Sequence, residues 1–407
     1  MQKCSTILYL KEYTNTKEVT IMDEFDSGSL KGLAERKERE YIKFLIEHYR
    51  EYGIKYLEYD KPPWEGGYSV VDGYVQEIVF GEPCPRDYSM LPSLSRLKSL
   101  SFTDIPNDTI PEPVHELTSL IIFGCNSQGL RRISDGFGAL KNLEKVYMTN
   151  NPLESLPSDF GGLESLEELN LKKCELRELP ESFGNLKNLK TLDLSKNQLE
   201  SLPESFGGLE SLEDLNLHEN FLKELPESFG TLKKLNRLRL ESNKLDNLPE
   251  SFGGLTSLEH LNLHYCTLNS LPDSFGNLRN LTVLHMPGNA IGEFPPGAGR
   301  LESIEHLNAS SCRLTSLAHV IPGMKGLKVL KVNWNRISEI PASVDQLGRL
   351  KKFHIIQNEL KGVPASLARI DSLEELDVSY NYIEDLPDAV KLRMPKLQIF
   401  IFNNPKE

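Results

Sequence analysis

A chain of 407 residues with 59 acidic and 46 basic side chains carries a formal charge of −13, which argues against nonspecific nucleic-acid binding, where a basic face would be expected. No apolar run is long enough to span a bilayer, and the short apolar stretch after Met1 lacks the cleavage site of a secretory signal. Six scattered cysteines predict reduced thiols and a cytoplasmic protein, so the sequons at Asn107, Asn280 and Asn308 are chance matches.

Residues 1–60 form the first unit. Ile7 to Leu10 and Val19 to Met22 read as short strands around a polar turn at Asn15. A helix is predicted from Leu30 to Tyr52, because Leu30, Leu33, Tyr41, Phe44, Leu45 and His48 recur at helical spacing, with Ser29 to cap it and Gly53 to end it. Ile54 to Tyr59 reads as a strand. The unit is either a cap over the open end of the repeat array or an effector segment in its own right. Residues 61–93 are a linker and a degenerate first repeat: Lys61-Pro62-Pro63 breaks the chain, Trp64 leads in, and Pro83 to Tyr88 is irregular.

From residue 94 to 407 the chain repeats. Leu163, Leu166, Leu169, Leu171, Cys174, Leu176, Leu179, Pro180 and Phe183 return 23 positions later as Leu186, Leu189, Leu192, Leu194, Asn197, Leu199, Leu202, Pro203 and Phe206. One polar position runs on an unbroken grid from Ile105 and Gln128 through Asn151, Cys174, Asn197, Asn220, Asn243, Cys266, Asn289, Cys312, Asn335 and Asn358 to Asn381, and 381 − 105 = 276 is twelve periods of 23. The pattern L-x-x-L-x-L-x-x-N/C-x-L resembles the leucine-rich-repeat family. Within it the chain is similar to the intracellular 23-residue type, to Ras-suppressor-type scaffolds, plant Ras-group proteins and bacterial repeat proteins. That resemblance implies an α/β solenoid, a horseshoe with a parallel sheet on its concave side and short helical turns outside. A small N-terminal capping segment completes the expected fold.

The residues give the same architecture independently. Leu192 and Leu194 alternate with Thr191, Asp193 and Ser195, the period of two of a strand with one buried face. The ladder asparagine suits a tight turn whose backbone groups need partners, and cysteine can serve there as a weak donor. Phe160, Phe183, Phe206, Phe229, Phe252 and Phe275 should stack as a spine, replaced later by Ala298, Ile321, Val344, Leu367 and Val390. Outer segments alternate in sign, Glu164 to Glu168 against Lys187 to Thr191, and a stripe of like charge follows Glu181, Glu204, Glu227, Glu250 and Asp273. Leu397, Phe400, Phe402, Asn403 and Asn404 resemble a last strand shifted by one position, with no separate cap, which predicts self-association through that edge.

No phosphate-cradling loop, H-E-x-x-H, C-x-x-C or G-x-S-x-G occurs, so neither catalysis nor a cofactor or metal is expected. His260-Leu-Asn-Leu-His264 falls on a strand, not a helix, and a metal set of His218, Glu241 and His264 rests on spacing alone. The concave face remains. Its outward positions carry six of the nine histidines of an acidic chain. The predicted partner-binding residues are Tyr147, His218, Arg237, Arg239, His260, His264, Tyr265, His285, His306, Lys331, Trp334, Lys352 and His354. They predict a noncatalytic scaffold for a protein partner with an acidic contact patch; nucleic acid and membrane are not expected. The resemblance implies a small GTPase or another signalling component as one such partner. The alternative is an enzyme, or an adaptor in ubiquitin-type ligation, with the N-terminal segment as effector.

Overall fold

The computed structural model describes residues 55–56, 67–71, 74–80, 88–89 and 91–404, apart from 104, 106, 107, 322 and 394–396. The expected helix Leu30 to Tyr52, the strands at 7–10 and 19–22, and Trp64 lie outside the described residues. Among the described residues, seventeen strands form one sheet. β1 (Lys55–Tyr56) lies parallel to β2 (Gly67–Val71), and β2 pairs antiparallel with β3 (Tyr74–Phe80). From β3 onward every strand is parallel to the next in chain order: β4 (Ser99–Phe102), β5 (Ile122–Cys125), β6 (Lys145–Tyr147), β7 (Glu168–Asn170), β8 (Thr191–Asp193), β9 (Asp214–Asn216), β10 (Arg237–Arg239), β11 (His260–Asn262), β12 (Val283–His285), β13 (His306–Asn308), β14 (Val329–Lys331), β15 (Lys352–His354), β16 (Glu375–Asp377) and β17 (Gln398–Phe400). Because the register is one repeat per strand, Arg237 faces His260 and His260 faces Val283. Side chains 23 residues apart are therefore lateral neighbours.

Most repeats return through an extended link of an apolar residue and proline and a 3-10 helix such as Glu181–Asn185 or Glu227–Thr231. Proline at the helix entry, as Pro180 at ψ 151°, directs the chain outward before the turn closes. The phenylalanine spine forms as expected: between Phe160 and Phe275 successive rings are nearly parallel, 1–5° apart in plane and 5.9–6.3 Å between centroids. Sheet strands sit about 4.8 Å apart. The wider step at the spine curves the array with the sheet on its concave side. Glycine after each phenylalanine permits the close stacking of outer turns; a Cβ on Gly184 would collide with the Ser205 carbonyl.

The ladder supplies the polar interior. Asn220 Oδ1 accepts the Leu199 N–H at 3.1 Å, while its Nδ2 donates to the carbonyls of Leu194 and Leu217, each at 3.0 Å. One amide thus serves three backbone groups that no strand partner reaches. The ladder cysteines do less. Cys174, Cys266 and Cys312 donate through Sγ to the carbonyls of Met148, Leu240 and Met286 at 3.2, 3.2 and 3.1 Å. Burial pushes their thiols up to about 11, 12 and 11, which keeps the proton needed for donation. Like Cys125, they are not joined in disulfides.

The C-terminal register differs from the sequence expectation. β17 is not shifted: Glu375 faces Gln398, and Asn404, 23 residues after Asn381, takes the ladder place. Its Oδ1 accepts from Ile383 N–H at 2.9 Å and its Nδ2 donates to the Val378 carbonyl at 3.1 Å. The single α-helix among the described residues, α1 (Asp388–Lys391), replaces the 3-10 turn here. Phe402, just after β17, stands exposed.

Candidate concave interface

The three-residue strands β6 to β16 bury their middle apolar residue and turn the two flanking residues to the concave side, as in β10, where Leu238 is buried between Arg237 and Arg239. The residue before each ladder position adopts a left-handed backbone, including Tyr265, Trp334 and Tyr380 at φ 53°, 54° and 58°. Bulky residues rarely take this conformation. These three are nonetheless there, and they are 61, 54 and 52% exposed.

Some outward polar residues have local work. The side chains of Asp193, Asn216, Asn262, Asn308 and Asp377 accept the N–H two residues ahead at 2.8–3.2 Å. They close their own turns, which explains their recurrence without a ligand.

Charge pairing divides the expected patch. Arg237 reaches Asp214 at 3.1 Å and Arg239 reaches the same carboxylate at 3.9 Å. On the other flank Lys352 and His354 both meet Glu375 at 2.8 Å, and the Lys352 hydrogen bond, with His354 adding, holds that carboxyl below its ordinary range. His218 Nε2 lies 2.6 Å from Glu219, and its Nδ1 lies 3.6 Å from Glu241. Arg237 and Lys352 are thus each paired with a carboxylate on an adjacent strand, while Arg239, His354 and His218 lie within reach of the same or neighbouring carboxylates. Tyr147 is half-buried on β6, six strands from His285 and so roughly 29 Å away along the sheet. It does not join the patch.

Between the neutralised flanks lie His260, His264, His285, His306 and Lys331, for which no salt bridge occurs among the described residues. They span β11 to β14 and the turn after β11, about 14 Å of sheet. His285 is held below the ordinary histidine range, first by loss of hydration and then by the nearby positive groups of His306, Lys331 and His264. Tyr265 stacks on the His264 ring at 4.0 Å between centroids, and its ring crosses Gly288, where a Cβ would strike it. No cluster of three or more histidine, cysteine or acidic side chains among the described residues could hold a metal, so His218, Glu241 and His264 do not form the metal set considered from spacing.

Sequence reasoning missed a second feature. Ser311, Arg313, Trp334, Asn335, Arg336 and Gln357 line a cavity of about 360 Å3 at the turn edge of the sheet. Arg313 and Arg336 occupy the position just after the ladder, outside the columns assigned to the concave face. Two arginines one repeat apart in that column were the available signal.

A family profile described as a leucine-rich repeat region matches residues 169–244 and 227–334, and a leucine-rich repeat profile matches residues 142–163. No curated protein matches the chain. Among solved structures, a leucine-rich-repeat protein of Leptospira interrogans is 27% identical with a TM-score of 0.64, over 79% of this chain and 88% of that one. The PEPR1–AtPEP1 complex is 28% identical with a TM-score of 0.69, over 82% of this chain but 49% of that one, so the similarity spans about half of that protein. An internalin of Listeria monocytogenes, 22% identical with a TM-score of 0.51 over 71% of this chain and 89% of that one, shares the fold. No helix among the described residues is long and apolar enough to cross a membrane.

Proposed function

Because the chain is a leucine-rich-repeat protein, we propose that it is a noncatalytic recognition scaffold that captures an acidic protein surface on its concave sheet. The observation that carries this reading is the group of unneutralised cationic or protonatable side chains, His260, His264, His285, His306 and Lys331, set between flanks whose charges are already paired. An acidic partner patch would meet no competing carboxylate at the centre, and complementary charge chiefly sets encounter rate and register. Exposed Tyr265 and Trp334 border the patch; aromatic residues of this kind anchor interfaces. The thiols of Cys174, Cys266 and Cys312, buried and outside any disulfide, support a reducing, cytoplasmic setting. The resemblance of the 23-residue pattern to Ras-suppressor-type scaffolds puts a small GTPase among the partners to screen, by analogy of sequence pattern and fold alone.

The test is quantitative capture of candidate partners by the full chain and by the double variant Lys331→Glu with His285→Glu. Both side chains point away from the core, so circular dichroism and the urea midpoint should not change. A partner held on this face should lose at least tenfold in affinity. Unchanged affinity of a folded double variant would move the binding role off the concave sheet.

A further inference from the structure

Beyond the concave patch, the turn edge carries a cavity with its own chemistry. Its volume is about 360 Å3, and its walls are Ser311, Arg313, Trp334, Asn335, Arg336 and Gln357. Among the described residues, no carboxylate lines it. Neither Arg313 nor Arg336 forms a salt bridge with a described residue, whereas Arg131, Arg369 and Arg393 each pair with an aspartate at 3.1–3.5 Å. Asn335 is committed elsewhere, since its amide serves the ladder through Cys312 N–H, Leu314 N–H and the Ala309 carbonyl. The groups left to meet a ligand are two guanidinium forks, a hydroxyl, a carboxamide and one indole face.

We propose that this cavity binds an oxyanion carried by a partner peptide, with the planar or apolar group next to that oxyanion lying on the Trp334 indole. A guanidinium presents a rigid planar set of donors that matches the oxygens of a phosphate or carboxylate. Two of them, one repeat apart, can address one dianion or two oxygens of neighbouring groups. Trp334 is 54% exposed and supplies stacking area at little loss of side-chain freedom. Its left-handed backbone, and that of Arg313 at φ 59°, means that the fold of the turn sets where these side chains emerge. The shared chemistry fits a phosphorylated tyrosine and equally a glutamate beside an aromatic residue. The cavity does not depend on the histidine–lysine patch, so the two readings fail separately.

Isothermal titration calorimetry of the full chain decides the matter. The probes are N-acetyl-O-phosphotyrosine amide and acetyl-Glu-Tyr amide, with N-acetyl-tyrosine amide and inorganic phosphate as controls. At least one anionic aromatic probe should bind saturably with 1:1 stoichiometry, at least tenfold tighter than either control. Arg313→Gln and Arg336→Gln, shown by circular dichroism to be folded, should each weaken it tenfold, as should Trp334→Ala. Lys187→Ala, on the outer face of the phenylalanine repeats, should leave it unchanged. Tighter binding of the phosphotyrosine probe identifies a phosphorylated partner, and equal or tighter binding of acetyl-Glu-Tyr amide identifies a carboxylate. The proposal is overturned if neither probe saturates, if a control binds as well, or if the arginine variants retain full affinity.

Discussion

The repeats from Phe137 to Phe275 and those from Ala298 to Val390 share one register but use their side chains differently. In the first region the interior row is phenylalanine in every repeat, each ring stacked on the next. Outside, lysine and glutamate alternate in pairs one repeat apart, such as Lys141 with Glu164 and Lys187 with Glu210. In the second region the same row holds Ala298, Ile321, Val344, Leu367 and Val390, all buried but none able to stack. This less regular half holds the unpaired Lys331, exposed Trp334 and the arginine-lined cavity. A solenoid gains stability from like-on-like contacts between neighbours, so a binding feature, which must break the repetition, is best tolerated where the interior no longer depends on identical rings.

The largest expected effect tests the spine. Phe229→Ala should cost about 3–5 kcal/mol through the cavity left between two rings, whereas Val344→Ala, which removes fewer buried carbons, should cost clearly less. Equal shifts of the two urea midpoints would mean that the stacked rings add nothing special. Next comes the ladder. Asn220→Ala orphans Leu199 N–H and takes one of two donors from each of the Leu194 and Leu217 carbonyls, which Asn197 and Asn243 also serve, and should cost about 1–3 kcal/mol. Asn220→Cys should be milder, because the thiol still reaches the carbonyl 26 residues back, as Cys266 does. If the two variants unfold at the same urea concentration, the three-partner account of the ladder fails.

A smaller effect is linked to pH. The folded pKa of His285 lies below the unfolded value, so the unfolded chain binds this proton first as pH falls. The associated stability is present above the unfolded value of about 6.5 and is lost as pH drops through the folded one. Between pH 7.5 and 5.5 the wild-type midpoint should therefore fall more than that of His285→Asn; parallel curves would refute the downward shift that lost hydration and neighbouring positive groups impose on His285. An acidic partner should reverse the sign by favouring the protonated ring, so its affinity should rise over the same interval. The smallest effect belongs to the regular half: Lys187→Ala, which breaks an exposed pair with Glu210, should leave the midpoint unmoved within error, since exposed ion pairs contribute little.

Much of the interface could be read from the grid once lateral neighbours were known to be 23 residues apart. Arg237 and Asp214, or Lys352 and Glu375, fall on that spacing, and their neutralisation was legible in principle. Diagonal pairs were not. Arg239 reaches Asp214 and His354 reaches Glu375 through side-chain rotamers, which a one-dimensional period does not encode. The arginine-lined cavity was missed for a related reason: Arg313 follows a ladder cysteine and takes a left-handed backbone, so it emerges from a column that strand alternation does not assign to any face.

The sequence alone determined the 23-residue period, the ladder, the phenylalanine row and the parallel sheet, because each repeat meets only its neighbours and local pattern suffices to set a contact made again and again. Tertiary structure decided the rest. It placed Asn404 in the ladder where the apolar pattern of β17 suggested a one-residue slip, since backbone groups of the preceding turn needed that amide. It also decided which charges remain free, because whether a cation is neutralised depends on side-chain reach across two strands and on the few ångströms over which opposite charges act.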